Sequence, residues 1–280
     1  MWLVFVILHI IISVIYSRFY HLSEKKSKNY SALIILLQII AGLVAILMCP
    51  FFKFNFSNNY IIYFLIIINC ILYALSDGLY AYVSKNIEPS TFNIIKQISV
   101  IFMIVMGLLF FKEPLVWNKI IGSLLIVASN ILLFYKKVNQ KFNKYVILGI
   151  ISNLCFAVSL FLDIIISKEF NLSLYIGFVL IISALLIMKK DKIKFIDIKN
   201  EIKFNNKLAL IITGFCWTLM AIFQLLAYNH GNITIVAPLT DLVVIFSFII
   251  GFIFFKEKDN LIKKIISLLI IIVGVILLLK

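Results

Sequence analysis

The chain has 280 residues, of which 64% are apolar and only 14% are charged, and its mean hydropathy is +1.13. A soluble domain is about 45–50% apolar and about 25% charged, so this composition excludes a soluble enzyme and a disordered regulator. The formal net charge of +14 comes almost entirely from lysine. In so apolar a chain we interpret the lysines as markers of membrane topology and expect no nucleic-acid partner.

Ten apolar runs follow one another along the chain. A helix needs about 20 apolar residues to cross the hydrocarbon core, and helices satisfy their own backbone hydrogen bonds in lipid, which open strands do not. We therefore predict an all-α polytopic membrane protein with ten transmembrane helices near residues 2–17, 31–52, 60–84, 90–111, 115–135, 145–167, 172–188, 207–228, 233–255 and 261–279. The polar stretch 189–206 interleaves Ile and Phe with Lys and Asp, and we expect it to lie along the membrane surface.

A shift of 144 residues aligns the second half of the chain with the first. Phe110–Glu113 then falls on Phe254–Glu257, and Ser123–Ile126 falls on Ser267–Ile270. Each half contains five segments, so the second copy enters the membrane from the opposite side and the two form an inverted repeat. We expect the repeats to occupy residues 1–137 and 138–280. Such repeats are common in secondary transporters, with the substrate site at their interface near the bilayer midplane.

Lysine and arginine are concentrated in the loops after the first, third, fifth, seventh and ninth segments. The positive-inside rule places these loops in the cytoplasm. We therefore expect a multi-pass protein of the plasma membrane with both termini outside the cell.

Short motifs at the same place in each half resemble those of a known family. Phe111–Pro114 is followed by Ile121–Ile126, and Phe255–Glu257 is followed by Leu268–Ile270. This arrangement resembles the drug/metabolite transporter (DMT) superfamily, and within it the ten-helix EamA-type transporters, over essentially the whole chain. The resemblance implies a central cavity lined by the first, third and fourth helices of each half, with the fifth helix of each half at the periphery.

Polar side chains inside the predicted helices mark the candidate site, because a charge at the bilayer centre costs about 2.5–3.5 kcal/mol and usually faces a cavity or a partner. The candidate substrate-binding residues are Asn69, Tyr73, Asp77, Tyr80, Lys96, Gln97, Trp217, Gln224 and Asp241. Asn69, Tyr73, Asp77 and Tyr80 share one helix face. The repeat aligns Gln97 with Asp241, and we expect Lys96 and Asp241 to approach each other, either as a structural ion pair or as part of the site.

Polar residues in and at the ends of the predicted helices have competing interpretations. Asp163 lies only a few residues from Lys168, and we interpret it as reaching the interface. His9, Asp77 and Asp241 are candidates for proton coupling, although a lone intramembrane histidine is often a packing residue. Glu113 and Glu257, each beside a lysine at a helix end, are interpreted as structural residues of the membrane boundary.

These observations favour a secondary active transporter that exports a small amino-acid-like or amphipathic metabolite by alternating access. Enzyme, nucleotide-binding and metal-binding motifs are missing from the sequence, so we expect no enzyme activity, cofactor or metal, and transport driven by a proton gradient or by exchange. One alternative is an importer of an organic cation such as choline or a polyamine. Another is a non-transporting membrane scaffold. Either a monomer or a homodimer is compatible with the sequence.

Overall fold

The structure is a computed structural model that describes residues 1–135, 144–247, 249 and 261–279. Its helices are α1 (Trp2–Lys26), α2 (Tyr30–Leu47), α3 (Tyr60–Val83), α4 (Pro89–Leu109), α5 (Trp117–Phe134), α6 (Lys144–Ile166), α7 (Leu172–Lys190), α8 (Phe195–Phe204), α9 (Lys207–His230), α10 (Ile233–Thr240) and α11 (Leu261–Leu279). A short 3-10 helix, Cys49–Phe51, follows α2. The repeat block Phe254–Glu257, which includes the predicted boundary residue Glu257, lies outside the described residues.

The helical prediction is confirmed. Eight described helices are long and apolar enough to cross a membrane, and two shorter apolar helices cover Trp117–Leu133 and Ile233–Ser247. Each of the ten predicted segments overlaps one of these helices, while the count of ten complete crossings stays a prediction. The polar stretch after α7 contains one further short helix, α8.

The two sequence halves interlock. The main packing partner of α1 is α9, and the main packing partner of α3 is α6, so each pair joins one half to the other. The contact of α2 with α7 is close at Gly42, where an added Cβ would lie 3.1 Å from the Gly177 carbonyl oxygen. Likewise α5 meets α11 at Gly122 and Gly274. Small residues let helix backbones approach in this way, and the halves therefore share one core.

Connections between helices gather at two ends of the bundle. One end carries the exposed Lys25, Lys26, Lys192 and Lys194, and we call it the lysine-rich side. There Glu201 of α8 accepts hydrogen bonds from the backbone N–H groups of Lys28 and Asn29, between α1 and α2. At the other end, the opposite side, the Asn171 N–H before α7 donates to the Asn55 carbonyl before α3. The α1–α2 connection thus lies at the same end as α8, and the α2–α3 and α6–α7 connections lie together at the other end.

The ninth apolar segment is interrupted in its middle. Helix α10 contains Pro238 and ends at Thr240, and residues 243–247 are helical again. Proline has no N–H to donate to the carbonyl four residues earlier. That carbonyl, on Thr234, lies instead 2.9 Å from Ser123 Oγ of α5, which shares its one hydroxyl proton between Thr234 and the Lys119 carbonyl of its own helix. The break places Asp241 directly after the end of α10.

Candidate functional site

A cavity of about 90 Å³ lies between α3, α6, α7 and α9, where the two halves meet. Its apolar wall comes from α6, α7 and α9. The side chains with a hydrogen-bonding group that line it are Tyr73, Asp77, Asp163, Tyr175, Trp217 and Gln224. Four of these six are sequence candidates; Asp163 and Tyr175 were not assigned to the site. The family resemblance implied walls from the first, third and fourth helices of each half, whereas α7 closes this cavity.

Asp163 is the centre of a buried hydrogen-bond network. Asn69 Nδ2 donates to Asp163 Oδ1 at 2.6 Å, and the Tyr175 hydroxyl donates to the same oxygen. The Tyr73 hydroxyl donates to Asp163 Oδ2. Three donors on one carboxylate, from α3 and α7, stabilise its negative charge, and no cation is among its described partners.

The interpretation that Asp163 reaches the interface beside Lys168 is wrong. Only 5% of Asp163 is exposed, and its partners lie on α3 and α7 in the bundle interior. A signal for this was present in the sequence, because Ser152, Ser159 and Asp163 are spaced by seven and four residues and so share one face of α6. All three are buried in the structure.

Asp77 forms the second acidic position of the cavity wall. Gln38 Nε2 of α2 donates to Asp77 Oδ2 at 2.6 Å. Sequence reasoning missed Gln38, although it is a single amide within the long apolar run of α2. Among the described residues, Gln38 Oε1 and Asn69 Oδ1 are buried acceptors with no hydrogen-bond donor. Each of the two acidic positions therefore has an unsatisfied acceptor close by.

The remaining candidates lie outside this cavity. Asn130 Nδ2 of α5, another amide that sequence reasoning missed, donates to Asp241 Oδ2 at 2.6 Å and lies 3.5 Å from Gln97 Oε1. Lys96 Nζ lies 5.4 Å from the centre of the Phe92 ring and 5.8 Å from that of Tyr80. In the described part of the chain, Lys96 and Asp241 form no ion pair.

His9 joins α1 to α9. Its Nδ1 lies 3.0 Å from the Met220 carbonyl oxygen, and its Nε2 lies 3.3 Å from Ser13 Oγ. Because a carbonyl only accepts, we assign the proton to Nδ1, and Nε2 then accepts from Ser13. Both ring nitrogens thus have partners, and the ring lies between two helices rather than on the cavity wall.

The cavity wall is acidic and aromatic. Two carboxylates, Asp77 and Asp163, line it together with Tyr73, Tyr175 and Trp217, and none of the residues that line it is Lys, Arg or His. Among the described residues, no three His, Cys, Asp or Glu side chains lie together as a metal site would require. Carboxylates and aromatic ring faces attract cations, so this surface suits a positively charged group.

Comparisons with known proteins agree with this architecture. The EamA-like transporter family matches residues 1–135 and 143–280. The chain therefore belongs to the EamA-like transporter family, and the predicted membership of the DMT superfamily is confirmed. A solved crystal structure superposes with a TM-score of 0.76 over 98% of this chain and 94% of its own, at 11% sequence identity. That likeness shows the fold. No curated protein sequence matches the chain.

As a member of this family, the chain is a membrane protein of a transporter class rather than of an enzyme class.

Proposed function

We propose that the chain is a secondary transporter of a small organic compound that carries an ammonium group and apolar bulk. The observation that carries this proposal is the acidic, aromatic lining of the cavity between the repeats, with Asp77 and Asp163 on its wall. An ammonium group donates hydrogen bonds and carries positive charge, so it complements carboxylates and aromatic faces. The unsatisfied acceptors on Gln38 and Asn69 also favour a substrate that donates hydrogen bonds.

The cavity also supports a mechanism of alternating access. Pockets that enclose a small molecule measure about 300–1,000 Å³, whereas this cavity measures about 90 Å³. A cavity of this volume is too small for the substrate, so we propose that a substrate enters only when the helices around the cavity separate. Because α3 with α6 and α1 with α9 join the two halves, a rocking of one repeat against the other opens the cavity to alternate sides.

Two substrate chemistries fit the proposal to different degrees. A net organic cation is favoured, because Lys96 lies outside the cavity and none of the described residues that line it is basic. An amino-acid-like zwitterion is the second candidate, because Lys96, whose Nζ lies 5.8 Å from the centre of the Tyr80 ring, offers a positive group for a carboxylate. Export is the direction proposed from the family resemblance, with the lysine-rich side in the cytoplasm.

Transport by purified protein in liposomes tests the proposal. Vesicles are loaded with a mixture of amines, quaternary amines and amino acids, and efflux is measured by mass spectrometry with and without a pH gradient. We expect amines to leave faster than from protein-free vesicles, and faster than amino acids. Asp77→Asn and Asp163→Asn should each lower this rate at least tenfold.

Glu169→Gln is the matched control, because it removes an exposed carboxylate just beyond α6. It should transport like the original chain. Equal transport by all four proteins would refute the role of the cavity, and efflux of acids in place of amines would refute the substrate class. Absence of efflux for every compound, from monodisperse protein, would favour a non-transporting scaffold.

A further inference from the structure

Helix α8 is fixed to the bundle through one face only. Ile198 and Glu201, three residues apart, are buried, and Asn205 follows on the same face. Glu201 Oε1 accepts from the Lys28 and Asn29 N–H groups, and Glu201 Oε2 accepts from Asn205 Nδ2. Helix α8 is therefore held at the lysine-rich side, between the end of α7 and the start of α9.

A second face of α8 carries apolar and basic side chains that the described part of the protein leaves exposed. Phe195, Lys199, Ile202 and Lys203 follow one another at i, i+4, i+7 and i+8, which places them on one side of the helix. Phe195 is 77% exposed and Ile202 is 37% exposed. Ile196, beside them, is 54% exposed. In a helix that connects two membrane-spanning helices, this face lies at the boundary of the bilayer.

The surroundings of this face are strongly basic. Further exposed lysines lie in the neighbouring segments of the same side, at Lys25, Lys26, Lys28, Lys192 and Lys194. The carboxylates nearby are engaged elsewhere, because Asp191 accepts from Ser31 Oγ and Asp197 accepts from the Lys194 N–H. Glu201 is 1% exposed and faces the protein. Within the described part of the chain, Lys199 and Lys203 form no ion pair, so both charges remain available to a partner outside the protein.

We propose that the outer face of α8, formed by Phe195, Lys199, Ile202 and Lys203, is a binding site for anionic phospholipid headgroups. The two apolar side chains enter the boundary between headgroups and acyl chains, and the two lysines contact lipid phosphates. Helices that lie in the membrane interface carry Lys or Arg on their polar side and Phe, Trp or Leu on their apolar side, and in α8 exposed lysines adjoin exposed Phe195 and Ile202. Anionic lipid adds attraction for each lysine near the surface.

This proposal does not depend on transport activity. It predicts a preference for anionic over neutral lipid that resides in two lysines of α8 rather than in the overall positive charge. Each lysine that contacts headgroups is expected to contribute about fivefold to lipid affinity. Removing both should therefore lower the affinity for anionic lipid by about 25-fold and leave the weaker affinity for neutral lipid unchanged.

Native mass spectrometry of the purified full-length protein in detergent measures this directly. Phosphatidylglycerol and phosphatidylcholine are titrated separately, and bound lipid is counted for the original chain and for Lys199→Gln/Lys203→Gln. The control is Lys53→Gln/Lys112→Gln, which removes two exposed lysines from the opposite side. Only the α8 variant should lose its preference for phosphatidylglycerol. The same loss in the control would show non-specific charge and overturn the proposal.

A second variant keeps the test valid if the double variant does not fold. Phe195→Ala truncates a highly exposed side chain and should reduce binding of phosphatidylglycerol several-fold while the melting temperature without lipid stays unchanged. Binding by the original chain should also weaken steeply with salt concentration. No difference between the two lipids for the original chain would overturn the proposal. A dimer that dissociates on Phe195→Ala would instead show that a second copy covers this face.

Discussion

The contact between α5 and α11 at Gly122 yields a sharp prediction about stability. An ideal Cβ on Gly122 would lie 2.6 Å from the Gly274 carbonyl oxygen and 3.0 Å from the Leu278 backbone nitrogen. Both are backbone atoms of the facing helix, so they move only if the helices separate. At Gly78 the nearest atoms are the flexible end of Lys190 at 3.4 Å and a side-chain carbon of Ile187 at 4.0 Å. The same methyl group fits there without displacement.

Comparing Gly122→Ala with Gly78→Ala isolates the packing cost. Replacing glycine by alanine inside a helix favours the folded state by up to about 1 kcal/mol, and this gain is common to both variants. Overpacking costs about 1–3 kcal/mol, and it applies only at Gly122. We therefore expect Gly78→Ala to raise the free energy of unfolding and Gly122→Ala to leave it unchanged or lower it. The difference between the two variants should be about 1–3 kcal/mol.

Unfolding in mixed detergent micelles, followed by tryptophan fluorescence, measures both free energies against the original chain. Transport is not the readout, because Gly78 is adjacent to Asp77. Changes of the same sign that agree within about 0.5 kcal/mol, the scatter expected for ordinary surface substitutions, would refute the close approach of α5 and α11.

Two other predictions concern the discontinuous helix α10. Ser123→Ala leaves the Thr234 carbonyl without its donor and should lower the free energy of unfolding by about 1 kcal/mol; Ser99→Ala, whose hydroxyl bonds its own helix, should change little. Glu113 accepts from two N–H groups and one hydroxyl at the start of α10. Glu113→Gln should therefore lower the melting temperature by an amount equivalent to about 1–2 kcal/mol. Glu169→Gln should not, and equal effects of Glu113→Gln and Glu169→Gln would refute the capping role.

The interpretation of Glu113 as a structural residue of the membrane boundary agrees with this geometry. The reason could not be derived from the sequence, because the atoms that Glu113 contacts begin at Ile233, in the other half of the chain. Its aligned partner in the second repeat, Glu257, lies outside the described residues. The repeat identified the residue, and only the fold identified the N–H groups that it caps.

For the candidate site, too, the sequence identified some of the residues and only the fold identified their contacts. Tyr73, Asp77, Trp217 and Gln224 were selected because polar or aromatic groups within an apolar helix face a cavity or a partner, and all four line one cavity. Asp163 was misread because its distance along the chain from Lys168 says nothing about which way its side chain points. Its rotation about the axis of α6 decides that question.

The sequence by itself determined the helices, their approximate ends, the inverted repeat and the family. Each membrane helix satisfies its own backbone hydrogen bonds, so hydropathy alone reveals it. The tertiary structure decided which faces meet. It brought Asn69 to Asp163, 94 residues away in the chain, and Gln38 to Asp77. It also gave α8 one buried and one uncovered face. These contacts depend on the rotation and spacing of the helices. Composition and periodicity do not reveal that rotation, because lipid is as apolar as the protein interior and apolar residues therefore occupy both lipid-facing and cavity-facing positions.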